Sequence, residues 1–100
     1  MRRYKDRAAW ILQWMQRRGV LYVDVLRTDF VCDYIDETGA TSSLMLIGAP
    51  KCRRLSDDLL RMYRDGVLKR FPAGLGRGDS SMGFPKWIWS YSVRHEPRST

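Results

Sequence analysis

The sequence predicts an α+β fold of three helices with a small antiparallel sheet, and three observations lead to this prediction. Two early segments have the apolar spacing of helices, and each is followed by a glycine, Gly19 or Gly39. A third helical segment ends before Gly66. After it come a strand-like run, a loop rich in Gly, Ser and Pro, and an aromatic run, which together are typical of a long β-hairpin. The length of 100 residues indicates a single domain over 1–94 with a flexible tail at 95–100.

The first helix is expected to begin near Asp6, a suitable N-cap, and to end at Arg18. Its apolar stripe is made of Ala8, Ile11, Leu12 and Met15, widened by Trp10 and Trp14. A stripe this broad indicates either one wide core face or a core face with a homodimer contact through Trp10 and Trp14. The β-branched and aromatic run at 19–26 predicts a short strand.

The second helix is expected over Thr28–Thr38, with Thr28 as its side-chain cap and Asp29 in its first turn. Its apolar face contains Phe30, Val31, Tyr34 and Ile35. Its other side is acidic, and we expect these acids to pair with arginines of the third helix. The segment 40–49 is either one more helical turn or an irregular connection.

Pro50 is expected as the first residue of the third helix, where its missing N–H costs nothing. The core face of this helix is predicted at Cys52, Leu55, Leu59, Met62 and Tyr63. The opposite face carries Lys51, Arg53, Arg54, Asp57, Arg61 and Arg64. The hairpin is predicted from Val67–Phe71 and from 86–93, where Trp87, Trp89, Tyr91 and Val93 alternate onto one face.

The positive charge is concentrated in this second half of the chain. The whole chain has a formal charge of +7, with 18 Lys and Arg against 11 Asp and Glu. Residues 1–50 carry seven basic and six acidic groups, whereas residues 51–94 carry ten and four. A field of this sign attracts polyanions, and nucleic acid is the first candidate among them.

The order helix, strand, helix, connection, helix, strand, loop, strand resembles that of winged helix-turn-helix DNA-binding domains. The most specific match is the run Arg64-Asp65-Gly66-Val67-Leu68-Lys69-Arg70, which is similar to the passage from a recognition helix into the first wing strand. The chain departs from a tight helix-turn-helix in its link of about ten residues between the second and third helices. In size and style it is also similar to short regulatory proteins of bacteriophages.

This resemblance implies a sequence-specific regulator of transcription that binds double-stranded DNA, with the helix at 50–65 in the major groove and the hairpin at 67–93 on the backbone. On the helix, the Asp57 carboxylate would accept a hydrogen bond from cytosine or orient a neighbouring arginine. The residues expected to contact DNA are Lys51, Arg53, Arg54, Asp57, Arg61, Arg64, Lys69, Arg70, Arg77, Ser80 and Lys86.

Three alternatives stay open at this point. In the first alternative, the basic face of the third helix does not bind DNA and is only a solvated surface held by pairs such as Asp57–Arg61. The chain is a small phage or mobile-element protein that binds and inhibits a host protein complex through the same scaffold. The strand with Trp87, Trp89 and Tyr91 stacks bases of single-stranded nucleic acid, although a core role is favoured.

Enzymatic chemistry finds little support, because the sequence offers no Ser/His/Asp set and its single histidine, His95, lies in the expected tail. Cys32 and Cys52 have no CxxC spacing, so a zinc site is not expected and both are predicted as reduced, buried side chains. We expect no cofactor. Without a signal peptide or transmembrane run, the sequence favours a cytoplasmic protein.

Overall fold

The computed structural model describes residues 3–43, 49–72 and 89–94, and within these residues the chain has the predicted α+β fold. Three helices and a two-stranded antiparallel sheet form a winged-helix-like arrangement. The elements are α1 (Tyr4–Arg18), α2 (Thr28–Thr38), α3 (Arg53–Arg64), β1 (Leu68–Pro72) and β2 (Trp89–Val93).

Helix α1 begins at Tyr4, so the predicted start near Asp6 is late by two residues. Asp6 lies in the first turn, where its negative charge suits the positive end of the helix dipole, and it is not the cap. The helix ends as predicted before Gly19, whose φ of 63° is in the left-handed region that glycine adopts readily.

Helix α2 has the predicted bounds, but its start is stabilised differently from the prediction. Thr28 is inside the helix and Arg27 is the N-cap residue, which makes no side-chain cap hydrogen bond. The carboxylate of Asp29 accepts a hydrogen bond from the Phe30 N–H at 2.7 Å instead. At the other end the Thr38 hydroxyl donates to the Tyr34 carbonyl at 2.8 Å.

Helix α3 begins at Arg53, so the prediction of Pro50 as its first residue is wrong. The backbone of Lys51 is already paired with that of Ser43, through N–H···O bonds of 2.8 and 2.9 Å in the two directions. The N-cap Cys52 therefore has extended backbone angles, and the helix starts one residue later. The end agrees with the prediction, because Gly66 takes a φ of 81° just after the last turn.

Strands β1 and β2 pair from Leu68↔Val93 to Pro72↔Trp89. On the other edge of β2, Val23 exchanges two backbone hydrogen bonds of 2.9 Å with Tyr91. Among the described residues, this single pairing is all that the run at 19–26 adds to the sheet, which is less than the predicted strand. The chain turns away because the Asp24 carboxylate accepts the Leu26 N–H at 2.8 Å.

Burial in β2 does not follow the predicted alternation. Ser90, Tyr91 and Ser92 are all buried, while Trp89 is 39% exposed. The reason is that Tyr91 lies between β1 and Val23, so this part of β2 is the middle of the sheet. Phe71, directly opposite Ser90, makes an edge-on ring contact of 5.0 Å with Tyr22.

The core is formed mainly by the inner faces of the three helices. Its fully buried members include Ile11, Phe30, Tyr34, Leu55 and Leu59. Both cysteines are free thiols, as predicted. Cys52 is buried, which confirms the prediction, whereas Cys32 is only partly buried.

Candidate nucleic-acid interface

A buried polar junction fixes the rotation of α3 about its axis. Asp58 lies on the apolar side of α3. Its two carboxylate oxygens accept hydrogen bonds from Arg7, one from Nε at 2.8 Å and one from Nη2 at 3.0 Å. The Tyr34 hydroxyl donates to the same carboxylate at 2.5 Å. We call Arg7, Tyr34 and Asp58 the Asp58 junction; it joins α1, α2 and α3 at one point.

The protonation of the Asp58 junction follows from its burial. Burial, together with the hydrogen bond to Asp58 and that group's negative charge, raises the pKa of Tyr34 far above its ordinary value. The hydrogen bond to Asp58 also raises the pKa of Arg7. At neutral pH the phenol therefore keeps its proton as a donor, and the arginine keeps its charge as the counter-ion of the carboxylate.

With Asp58, Leu55, Leu59 and Met62 turned inwards, the opposite side of α3 faces solvent. The outward side chains there include Arg53, Asp57 and Arg64, all exposed. Lys51, just before the helix, is also exposed. Arg53, Asp57 and Arg64 of the predicted DNA-contacting set are thus brought together along one helix face.

Two arginines of the predicted set lie on the flank of α3. Arg61 is exposed, but its guanidinium carbon lies 3.9 Å from the centre of the Tyr4 ring. Arg54 is partly buried, and its Nη1 is a buried atom with no hydrogen-bond partner in the described part of the chain. The prediction that Arg54 projects freely from the outer face is therefore wrong, whereas Arg61 is exposed as predicted but lies against Tyr4 of α1.

Arg70 joins α3 to the sheet. Its guanidinium carbon lies 4.2 Å from the ring centre of Tyr63 on α3 and 4.1 Å from that of Trp89 on β2. Tyr63 and Trp89 are 37% and 39% exposed and Arg70 is partly exposed, so the cluster borders solvent. We call Tyr63, Arg70 and Trp89 the Arg70 cluster.

Lys69 does not share this surface. Successive side chains of a strand point to opposite faces, so Lys69 points away from the face on which Arg70 meets α3. The prediction that both residues face outward together is corrected by this alternation. Three further predicted contacts, Arg77, Ser80 and Lys86, lie outside the described residues, as does Trp87.

The predicted ion pairs differ from those observed. Asp33 of α2 pairs with Arg18 of α1 at 3.1 Å, and Asp29 pairs with Arg27 at 2.9 Å. Both acids had been expected to pair with arginines of α3, and for these two residues that prediction is wrong. Among the described residues Asp57 and Arg61 form no ion pair either, since Arg61 lies on Tyr4. The outer arginines of α3 thus keep their charge uncompensated by these acids.

The predicted dimer residues are core residues of a single chain. Trp14 is 3% exposed and Trp10 is 9% exposed, and both rings pack on Phe30. The Trp14 indole N–H donates to Asp33 at 2.8 Å. Rings used in this way offer little surface to a second chain, which favours the single wide core face that was left open as an alternative.

Sequence reasoning missed two features. Asp58 lies between Leu55 and Leu59 on the apolar stripe, and a charge in that position was a signal of a buried partner. Tyr63 was assigned to the core face, but it is exposed and contacts Arg70. No local pattern marks this contact, because it depends on how α3 packs against the sheet.

The described residues contain no group of three His, Cys, Asp or Glu side chains arranged to hold a metal ion. No helix in this part of the chain has the length and apolar character needed to cross a membrane. The chain matches no known protein family, no curated protein and no solved structure.

Proposed function

We propose that the chain is a cytoplasmic, sequence-specific DNA-binding regulator that places the outer face of α3 in the major groove of duplex DNA. The observation that carries this proposal is the basic outer face of α3, where Arg53 and Arg64 are exposed beside the single acid Asp57 and make no ion pair with a described residue. An α-helix fits the major groove, and arginine binds guanine through paired hydrogen bonds.

The charge around α3 supports the same proposal. The described residues of the second half of the chain, 51–72 and 89–94, contain eight Lys and Arg and three Asp. One of these acids, Asp58, is already paired with Arg7 of α1. The surface that remains is strongly basic, and such a surface draws a polyanion at long range and at a rate that depends on salt.

A charge reversal at Arg53 tests the proposal. A random-duplex selection with the unchanged protein first supplies the best-bound sequence. We expect Arg53→Glu to weaken binding to that duplex by roughly 10–100-fold, since one good arginine contact is worth ~1–3 kcal/mol. The measurement is fluorescence anisotropy of a labelled duplex, with the melting temperature as the check on folding.

Arg17→Glu is the matched control, because Arg17 is an exposed arginine in the last turn of α1, beside Asp36 and Glu37 of α2, and its reversal changes the net charge equally. Equal losses for the two variants would show that net charge alone drives binding, and the assignment to α3 would fail. Unchanged binding by Arg53→Glu would contradict it as well.

A second candidate is a module that binds and inhibits a host protein complex. The exposed apolar side chains Leu21, Tyr22 and Phe71 favour it, since they offer contact area for a protein and not for a phosphate backbone. A duplex-binding protein loses affinity steeply as salt rises. If the unchanged protein has no measurable affinity for random duplexes even at low salt, this second candidate is preferred.

A further inference from the structure

The Arg70 cluster holds a guanidinium group in a way that leaves its hydrogen-bonding edge unused. Tyr63 and Trp89 contact Arg70 through their rings, at 4.2 and 4.1 Å from the ring centres. All N–H groups of a guanidinium lie in its plane and point outward from its edge. The ring contacts are not conventional hydrogen bonds, and Arg70 is partly exposed, so donors remain for another molecule.

No acid takes up these donors in the described part of the chain, where Arg70 makes no hydrogen bond and no ion pair. Other arginines of the chain differ in this respect. Arg7, Arg18 and Arg27 each bind an aspartate at 2.8–3.1 Å. An arginine held in place with its edge free is suited to an oxyanion, which it binds through two parallel N–H···O bonds.

The position of the cluster indicates which oxyanion. Tyr63 is the second-last residue of α3, and Arg70 is on the strand that follows. Base edges are read mainly by side chains near the start of a recognition helix, whereas in the homeodomain the far end of that helix contacts the backbone. A duplex seated on the outer face of α3 would therefore bring a phosphate, and not a base, to Arg70.

We propose that Arg70 binds one backbone phosphate of duplex DNA and that Tyr63 and Trp89 are positioning residues for it. This inference rests on the proposed function of α3. The two rings restrict the rotamers of a long side chain before the DNA arrives, so less conformational freedom is lost on binding. The contact fixes the orientation of the duplex on α3 and carries no sequence information itself.

Salt dependence of binding is the measurement that separates this role from a structural one. Removing one phosphate contact lowers the slope of log affinity against log salt by about one unit. We expect Arg70→Gln to show this change and to weaken binding to random and selected duplexes by the same factor. Arg17→Gln is the matched control, because Arg17 is an exposed arginine beside Asp36 and Glu37 of α2, and it should keep the slope of the unchanged protein.

The ring residues are tested separately from the charge. Tyr63→Leu and Trp89→Leu keep the Arg70 charge, so we expect an unchanged salt slope with several-fold weaker binding. Tyr63→Phe and Trp89→Phe keep an aromatic face and should restore affinity. Arg70→Lys should keep the slope but bind more weakly, because lysine lacks the planar fork. Melting temperatures establish that each variant is folded at the temperature of the assay.

Several outcomes would overturn the inference. An unchanged slope for Arg70→Gln, or a loss that varies with duplex sequence, would exclude a phosphate contact. Leu variants that bind like the unchanged protein would exclude the positioning role of the rings. If Arg53→Glu loses binding while Arg70→Gln does not, this inference fails alone. If the unchanged protein binds no duplex at low salt, the proposed function fails, and this inference fails with it.

Discussion

Two arginines of this chain are held in opposite ways. Arg7 is nearly buried, with 13% of its side chain exposed, and it binds a carboxylate of which 4% is exposed. Arg70 is partly exposed and lies against two aromatic rings, and no described acid binds it. In the first case the charge is used inside the fold, and in the second the donors are left for another molecule.

The difference shows how a small basic domain separates stability from binding. A buried ion pair is costly to desolvate, and it becomes strongly destabilising when one partner is removed. A ring contact at the surface contributes much less to folding. We therefore expect changes in the Asp58 junction to unfold the protein, and changes in the Arg70 cluster to affect binding with little effect on stability.

The largest expected effect is that of Asp58→Ala. The change leaves the Arg7 guanidinium and the Tyr34 hydroxyl buried without their common partner. Removing one member of a buried pair costs about 3–5 kcal/mol, which is a large part of the stability of a small domain. The measurement is urea unfolding followed by circular dichroism.

Asp57→Ala is the matched control for this variant, because it removes the same carboxylate from the adjacent, exposed position. Its stability should stay within about 0.5 kcal/mol of the unchanged protein. Similar losses for the two variants would mean that the carboxylate of Asp58 is not the centre of the fold, and the contrast between the two arginines would lose its basis.

The next effect is smaller and depends on pH. Tyr34→Phe removes one hydrogen bond to a charged group, at a cost of about 1.5–3 kcal/mol near neutral pH. The pKa of Tyr34 is raised in the folded chain, first by burial and then by Asp58. An unfolded tyrosine ionises near its ordinary pKa of about 10, while the folded one keeps its proton. The stability that the hydroxyl supplies is therefore complete below about pH 10 and decreases above it.

Urea unfolding of the unchanged protein and of Tyr34→Phe, at about pH 7 and again above about pH 10, measures this dependence. The difference in unfolding free energy should narrow as pH rises. Tyr4→Phe is the control, since its hydroxyl donates to Asp65 in an exposed hydrogen bond of 3.3 Å and should matter little at neutral pH. A difference that widens with pH would show that the phenol is not the donor.

The sequence was sufficient where local pattern decides structure. The bounds of α2, the glycine after α3 and the outward positions of Arg53 and Arg64 all follow from spacing along one helix. It was insufficient where a distant residue decides. The start of α3 depends on the pairing of Lys51 with Ser43, which is a contact across a connection that local propensity does not describe.

The same limit applies to the candidate site. The arginines were identified as basic residues, but their surroundings depend on how helices and sheet pack. Arg61 lies on a ring from α1, and Arg70 lies on rings from α3 and β2. Neither contact could be inferred from spacing within one element, since each joins residues of different elements.

The smallest expected effect compares the two faces of β1. Arg70→Gln should lower the free energy of unfolding by about 1 kcal/mol, because a cation–π contact at an exposed site is worth ~0.5–1 kcal/mol. Lys69→Gln, one residue away on the opposite face, should change the free energy of unfolding by a few tenths of a kcal/mol at most. Urea unfolding of both variants in parallel is the measurement. A loss at Arg70 as large as that of Asp58→Ala would show that this arginine is also held for the sake of the fold. A small loss, accompanied by a lower salt slope in DNA binding, would instead be expected of a side chain that is kept at the surface for a ligand.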